Sequence, residues 1–306
     1  MSLDKIQSSL QKLIADESLF DEHNFNRREE AIDFLEFHIL HRIDALGETQ
    51  PNVLMALKYE AERVLRQLTD VNTSLFQRLQ SEIAAGHHRG LGFGKLIDLY
   101  TRPNSGDLSA SNSSQQNQIG YDDLDAFING LLLTQSPPVE TKTREPEMVY
   151  YQQTPVRVIL SLVERADLTA QDVFYDLGSG LGHVPILVNL LTGATTKGVE
   201  FEPAYCAYAS TCANTLNLSH VQFMNMDARE ADYADGTVFF LYTPFTGSIL
   251  QQVLDKLYQK SQRRPIRVFT YGSCSISVSQ QPWLRCMEPE GVDLEQLCMF
   301  HRIASL

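Results

Sequence analysis

The chain has 306 residues, of which 43% are hydrophobic, which is enough for a large core but long for a single domain. We therefore expect two structural parts. The formal charge of −13 argues against broad, unspecific binding to nucleic acid or to an anionic membrane surface, although it is compatible with a local basic patch. No apolar run approaches the roughly 20 residues of a membrane-spanning helix and no secretory signal is recognisable, so the sequence predicts a soluble, cytoplasmic protein. The five cysteines are scattered without the spacing of a metal site, so we expect reduced thiols and no metal.

The first part, residues 1–102, is predicted to be a helical domain. Apolar residues recur there at spacings of three and four, as on the buried face of an amphipathic helix. One such face comprises Ile32, Leu35, Ile39, Ile43 and Leu46, and a second, after Pro51, comprises Leu54, Leu57, Ala61, Leu65 and Leu68. Residues 103–118 are polar and rich in Ser, Asn and Gln, which predicts a mobile linker or loop. Residues 119–144 are predicted to form a short helix at 121–133 and an extended, proline-containing connection.

The second part, residues 145–306, alternates between strand and helix patterns. Strands are predicted at residues 173–177, 196–200, 221–226, 238–242 and 266–271, followed by two late strand-like runs near 283–287 and 296–303. Helices are predicted at residues 154–165, 184–191, 203–216 and 249–261. This order predicts an α/β fold with a Rossmann-like, mostly parallel sheet covered on both faces. The last two strands are expected to close the sheet as a hairpin that adds an antiparallel strand.

One segment of this part carries a recognisable chemical signal. Val173-Phe-Tyr-Asp-Leu-Gly-Ser-Gly-Leu-Gly-His183 is a buried strand that continues into three glycines and then a helix. Such glycines let the backbone turn sharply and approach a ligand at the helix N-terminus. The spacing Gly178-x-Gly180-x-Gly182 places His183 where a dinucleotide-binding turn has its last Gly or Ala, which disfavours NAD. His183 is either a solvated first-turn residue or a contact of the ligand's carboxylate.

Acidic residues at the ends of three strands indicate what the ligand is. Asp176 precedes the glycines, where it would repel a pyrophosphate but accept hydrogen bonds around a cationic, zwitterionic ligand. Glu200 ends the next strand, 24 residues later, where an acid can accept both hydroxyls of a ribose. Asp227, followed by Ala228, is placed to accept from an adenine amino group. Together these residues predict S-adenosylmethionine, although each acid could instead cap a helix or form a turn.

At this point the chain resembles the class I S-adenosylmethionine-dependent methyltransferases over roughly residues 148–303. Its Asp-Leu-Gly-Ser-Gly-Leu-Gly motif is most similar to the non-SET histone lysine methyltransferases, the disruptor-of-telomeric-silencing family. That family also has a Tyr-x-x-Thr element upstream, which Tyr151-Gln-Gln-Thr154 matches. The resemblance implies that Tyr151 and Thr154 contact the methionine end, Asp176 and the glycines the centre of the cofactor, Glu200 the ribose, and Asp227 with Ala228 the adenine.

The methyl acceptor is less clear from the sequence. After the fourth strand, where the resembled family has an Asn-rich segment, this chain has Leu241-Tyr-Thr-Pro-Phe245. Tyr242 and Thr243 are the candidate catalytic residues, which would orient the acceptor. We expect a protein, with lysine as one candidate, or another macromolecule as the acceptor. The alternatives are a small-molecule methyltransferase and a binding module without catalytic activity.

Overall fold

The structure is a computed structural model that describes residues 3–46, 51–101, 122–133 and 136–303. The linker predicted at residues 103–118 lies outside these ranges. The chain divides into two compact units, one formed by Met1–Gln80 with Lys95–Leu131 and the other by Ser81–Gly94 with Leu132–Leu306. The domain boundaries predicted from the sequence remain predictions.

The N-terminal part is helical, as predicted. Its helices are α1 (Leu3–Ala15), α2 (Phe25–Asp33), α3 (His41–Leu46), α4 (Pro51–Ala84), α5 (Leu91–Thr101) and α6 (Asp123–Leu132). A short 3₁₀ helix (Glu17–Phe20) follows α1, and a π-helical segment (Phe34–Leu40) connects α2 to α3. Leu35, Ile39 and Ile43 are buried against the apolar stripe of α4, so the three-and-four spacing correctly predicted this packing.

An acidic side chain at the start of α6 is destabilised by its surroundings. Burial, and then the charges of Glu30, Asp122 and Asp33, raise the pKa of Asp123 from 3.8 to about 6. A carboxylate at a helix N-terminus is usually stabilising. Here, desolvation and three like charges outweigh that effect.

The second unit contains a seven-stranded sheet in the order β3-β2-β1-β4-β5-β7-β6. Its strands are β1 (Val173–Leu177), β2 (Thr195–Glu200), β3 (Val221–Asn225), β4 (Val238–Tyr242), β5 (Arg267–Tyr271), β6 (Leu284–Cys286) and β7 (Cys298–Arg302). The first five strands are parallel, and β7 lies antiparallel between β5 and β6. The predicted mostly parallel sheet with an antiparallel terminal strand is therefore confirmed.

The helices of this unit connect the strands and cover the sheet. They are α7 (Val156–Ala166), α8 (His183–Thr192), α9 (Pro203–Thr215), α10 (Gly247–Ser261) and α11 (Cys274–Ser279). Because β1 pairs with both β2 and β4, the strand order reverses there, and a crevice opens beyond the carboxyl ends of these strands. In the described ranges, no helix is both long and apolar enough to cross a membrane.

Candidate active site

Three positions of the turn after β1 require glycine. Gly178, Gly180 and Gly182 have φ angles of +82°, +50° and +84°, in the left-handed region. A Cβ atom on Gly178 would lie 2.3 Å from Cβ of Pro244, and one on Gly180 would lie 2.2 Å from Cε2 of Tyr151. The turn is therefore in close contact both with the loop after β4 and with the Tyr-x-x-Thr segment.

Two buried carboxylates flank this turn. Asp176 is only 3% exposed and Glu200 only 9% exposed, and neither forms an ion pair with any residue that the structure describes. Burial, and then the charge of Glu200, raise the pKa of Asp176 well above its ordinary value. Burial also raises the pKa of Glu200, although backbone amides oppose the effect. Buried acids without a cationic partner are costly, and they favour a ligand that carries positive charge.

Backbone amides fix the orientation of the Glu200 carboxylate. Its Oε2 atom accepts a hydrogen bond of 2.7 Å from the Gly180 amide, and Oε1 accepts one of 2.8 Å from the Glu202 amide. Each carboxylate oxygen has two lone-pair directions, so both oxygens can accept a further hydrogen bond. This arrangement suits a pair of neighbouring hydroxyl groups.

The third acid, Asp227, is held by an arginine. Arg229 donates to both of its carboxylate oxygens, from Nε to Oδ1 at 3.0 Å and from Nη2 to Oδ2 at 2.6 Å. The side-chain hydrogen bond from Arg229 is the largest cause that lowers the pKa of Asp227, so this acid is ionised at neutral pH. Nη2 of Arg229 also donates to Glu145 at 2.5 Å.

A cavity lies beyond the ends of the strands, and its empty space, counted together with the open solvent at its mouth, is about 770 Å³. Seven of the residues predicted from the sequence line it, namely Tyr151, Gly178, Glu200, Asp227, Ala228, Tyr242 and Thr243. Five others lie close in sequence to the wall but not on it, namely Thr154, Asp176, Gly180, Gly182 and His183. The structure therefore brings together the glycine turn, the ends of β2 to β4 and the Tyr-x-x-Thr segment around one cavity.

His183 lies beneath this cavity. Its ring is buried, and Nδ1 lies 3.2 Å from the Gln153 side-chain amide, within the Tyr-x-x-Thr segment. Burial lowers the pKa of His183 to about 4, so the ring is neutral at physiological pH. The solvated first-turn position considered from the sequence is wrong, because the residue is packed against residues 153–154 instead. Its Nε2 atom is buried and has no hydrogen-bond partner among the residues that the structure describes.

The loop after β4 forms the other end of the cavity. Tyr242 packs on Tyr271 at the end of β5, with ring centroids 4.9 Å apart. Thr243 has a φ of +38°, which is unusual for a residue other than glycine. Its hydroxyl donates to the Tyr271 carbonyl and accepts from the Cys274 amide, each at 3.2 Å. The Thr243 hydroxyl therefore supports the loop, while Tyr242 and Phe245 form the cavity wall.

Residues 140–150, which we name the covering segment, were expected as the end of the extended connection and the first residues of the second part, and none of them was predicted to belong to the site. They supply five residues of the cavity wall, namely Glu140, Arg144, Met148, Val149 and Tyr150. The Arg144 guanidinium stacks on the Tyr150 ring, with Cζ 3.2 Å from the centroid. An extended segment does not reveal from its own sequence which surface it crosses, so these residues could not be predicted.

Side chains anchor the covering segment near its N-terminal end. Glu202 accepts from the Thr141 hydroxyl at 2.6 Å and from the Lys142 amide at 2.8 Å. The same carboxylate caps α9 by accepting from the Ala204 amide at 2.9 Å. The Lys142 ammonium lies 3.5 Å from the centroid of the Phe201 ring. A Glu directly before a helix is favoured by the helix dipole, but nothing in the sequence indicates its contacts with Thr141 and Lys142.

S-adenosylmethionine, the cofactor that the resemblance implies, fits the residues present. The buried and unpaired Asp176 and Glu200 match a positively charged ligand, and the paired oxygens of Glu200 match a ribose diol. Phe201 and Ala228 add apolar surface to the wall that Glu200 and Asp227 also line.

Comparisons with known proteins agree with this geometry. A sequence model of the family described as "Histone methylation protein DOT1" matches residues 144–253. This match covers the Tyr-x-x-Thr segment, the glycine turn and the loop after β4. No curated protein matches the chain.

Three of the solved structures that share partial similarity with the chain are named as methyltransferases. An RNA methyltransferase from Salinibacter ruber, in complex with S-adenosyl-L-homocysteine, is 27% identical, with 49% of this chain and 92% of that chain covered and a TM-score of 0.39. A putative S-adenosyl-L-methionine-dependent methyltransferase from Methanococcus maripaludis is 12% identical, with 49% and 84% covered and a TM-score of 0.39. A methyltransferase from Thiobacillus denitrificans, also with S-adenosyl-L-homocysteine, is 19% identical, with 37% and 47% covered and a TM-score of 0.33. The alignments are partial, and the assignment of the fold depends on the strand order and the family match.

Proposed function

We propose that this chain, a class I S-adenosylmethionine-dependent methyltransferase with a domain similar to the DOT1 histone methylation proteins, transfers a methyl group to a lysine side chain of a protein. The observation that carries this proposal is the character of the cavity wall around the loop after β4. Met148, Val149, Tyr242, Pro244 and Phe245 make it apolar and aromatic. Among the described residues of this part of the wall there is no carboxylate, histidine or thiol that could act as a strong base.

The absence of such a base favours an amine acceptor. S-adenosylmethionine supplies a methyl group that its positive sulfur has already activated. A hydroxyl or carbon acceptor usually needs a base to remove a proton, whereas an amine needs only to lose its extra proton to water before it attacks. An apolar wall helps because it disfavours the charged ammonium and lowers its pKa. The Tyr242 and Phe245 rings would align the long apolar stem of a lysine.

The roles of the cofactor-binding residues belong to the same proposal. Glu200 would accept the ribose hydroxyls, and Asp227 with Ala228 would contact the adenine. Asp176, His183 and the turn of Gly178, Gly180 and Gly182 would hold the centre of the cofactor, with Tyr151 and Thr154 at its methionine end. Tyr242 and Thr243 would position the acceptor, Tyr242 through its ring and hydroxyl and Thr243 through the loop that it supports.

Labelled cofactor tests the acceptor. The purified chain is incubated with tritiated S-adenosylmethionine and, separately, with core histones, total cell protein, total RNA and a small-metabolite extract. We expect label in protein, and Nε-methyllysine when the labelled protein is digested and analysed by mass spectrometry. Glu200→Ala, which should lose cofactor affinity, is the inactive control. Label confined to RNA or to small molecules would refute the lysine proposal, and no label despite cofactor binding would favour a non-catalytic module. The predicted cytoplasmic location is a separate prediction, which cell fractionation tests.

A further inference from the structure

Glu147, in the covering segment, caps a helix that lies about a hundred residues away in the sequence. Its Oε1 atom accepts from the Ser248 amide at 3.0 Å, and Oε2 accepts from the Ser248 hydroxyl at 2.7 Å and from the Ile249 amide at 3.0 Å. These amides belong to the first turn of α10, where no partner within the helix exists. The residue at the usual capping position, Thr246, makes no side-chain cap. The cap explains why α10 begins two residues earlier than predicted.

The backbone around Glu147 is also joined to the loop after β4. The Thr246 amide donates to the Glu147 carbonyl at 2.8 Å, and the Val149 amide donates to the Pro244 carbonyl at 3.0 Å. Met148 and Phe245 form an antiparallel bridge between these two contacts. Residues 147–149 and 244–246 therefore form one hydrogen-bonded element.

The lack of a side chain at Gly247 and its backbone conformation are both consistent with the contact between Glu147 and α10. A Cβ atom on Gly247 would lie only 2.1 Å from Oε1 of Glu147, so the carboxylate can approach α10 only where this residue has no side chain. Gly247 has a φ of +52°, which also favours glycine. Hydrogen bonds from Ser248 and Ile249 lower the pKa of Glu147, so the acid is ionised in its capping position.

The same short stretch of chain reaches the cofactor site at its other end. Tyr151, only four residues after Glu147, packs on Gly180 of the glycine turn. Gln153 contacts His183 at the start of α8. Pro244, which bonds to Val149, packs on Gly178. A movement of the Tyr-x-x-Thr segment toward a bound cofactor would therefore be transmitted along the chain to the loop that forms the acceptor end.

We propose that Glu147 is a positioning residue that couples cofactor binding to the loop 243–246, so that the acceptor end of the cavity takes its final form only when the cofactor is bound. The proposal deepens the proposed function, since it concerns the same site, and it rests on the cofactor assignment. It does not depend on which acceptor is methylated. The coupling would arise because one carboxylate joins the segment that closes on the cofactor to the helix that follows the acceptor loop.

Hydrogen exchange with and without S-adenosylhomocysteine tests this coupling. The informative amides are those of Thr246 and Leu250, whose acceptors are the backbone carbonyls of Glu147 and Thr246 and survive any side-chain substitution. In the unaltered chain we expect the ligand to slow exchange about fivefold or more at these amides and across residues 151–156. In Glu147→Ala the slowing should persist at 151–156 but fall below about twofold at Thr246 and Leu250.

Two further variants separate coupling from simple loss of a helix cap. Glu147→Gln keeps the shape and one acceptor oxygen, so it should retain part of the ligand response. Glu290→Gln makes the same chemical change at an exposed acid elsewhere and should behave as the unaltered chain. If Glu147 only caps the helix, Glu147→Ala should speed exchange at Thr246 and Leu250 by the same factor with and without ligand. That result, or a loop that does not respond to the ligand in the unaltered chain, would overturn the proposal. Because the test needs no acceptor, it is independent of whether lysine is the substrate.

Discussion

Replacing Glu200 by alanine should weaken cofactor binding strongly. The carboxylate is 9% exposed, it is oriented by the Gly180 and Glu202 amides, and it has lone pairs available for two hydroxyl groups. Loss of a two-point hydrogen bond to a charged group costs about 1.5 to 3 kcal/mol. Since each 1.4 kcal/mol is about a tenfold change in affinity, Glu200→Ala should raise the Kd about 10- to 150-fold.

The substitution also changes the folded protein, and the assay must separate the two effects. Without the carboxylate, the Gly180 and Glu202 amides lose their acceptors, which is destabilising, but removal of a buried charge offsets part of this cost. Calorimetric titration with S-adenosylhomocysteine should therefore be accompanied by thermal unfolding of the same samples. Glu164→Ala, which removes an exposed acid on α7, is the matched control. A folded Glu200→Ala protein with unchanged affinity would refute the assignment of Glu200 to the site.

Three other outcomes follow from the described geometry. The pKa of Asp123 is raised from 3.8 to about 6, so between these values the folded chain binds more protons than the unfolded chain and stability falls as pH rises. Asp123→Asn should therefore stabilise the protein by about 1 kcal/mol at pH 7, a value discounted for partial solvation, and should not change the stability below about pH 3.5. Urea unfolding of both proteins at these two pH values measures the difference in the free energy of unfolding. Equal differences at the two pH values would contradict the raised pKa. Tyr151→Ala removes the ring that packs on Gly180, so stopped-flow measurements should show faster release of S-adenosylhomocysteine, whereas an unchanged rate would mean that the ring does not hold the ligand. In thermal-shift assays S-adenosylhomocysteine should stabilise the chain and NAD should not, because His183 stands where a dinucleotide-binding turn has its last Gly or Ala. Stabilisation by NAD alone would contradict the cofactor assignment.

The parts of the fold that the sequence predicted well are those with a strong local signal. Strands β1 and β4 were predicted with the observed ends, because each is a short, mostly apolar run, interrupted in β1 only by Asp176, and each is bounded by polar residues or glycine. The helix α11 was missed, because its six residues, Cys-Ser-Ile-Ser-Val-Ser, have low helix propensity and form a helix only in this tertiary context. The π-helical segment between α2 and α3 gives no distinct periodicity in the sequence.

In the candidate site, the residues at strand ends could be predicted and those that cross over them could not. Asp176, Glu200 and Asp227 follow from the rule that parallel strands present their carboxyl ends to one crevice. No comparable rule predicts the contacts of the covering segment. Thr141 bonds to Glu202, and Glu147 bonds to Ser248, across separations of about 60 to 100 positions in the sequence. Glu147 belongs to no recognisable motif. Only the glycine at position 247 indicates, indirectly, that another group approaches the start of α10.

The anchoring of the covering segment determines where a shortened form of this enzyme can begin in the sequence. The family match begins at residue 144 and thus leaves out Thr141 and Lys142, whose bonds to Glu202 hold the segment beside the start of α9. A chain that starts at residue 150 would retain every strand and every glycine of the motif, yet α10 would have no carboxylate at its first turn and the loop after β4 would lose its hydrogen-bonded neighbour. Such a fragment could fold and still lack an ordered acceptor end. A fragment that carries the catalytic unit into another protein should therefore start before residue 140, and not at the Tyr-x-x-Thr segment or the glycine turn.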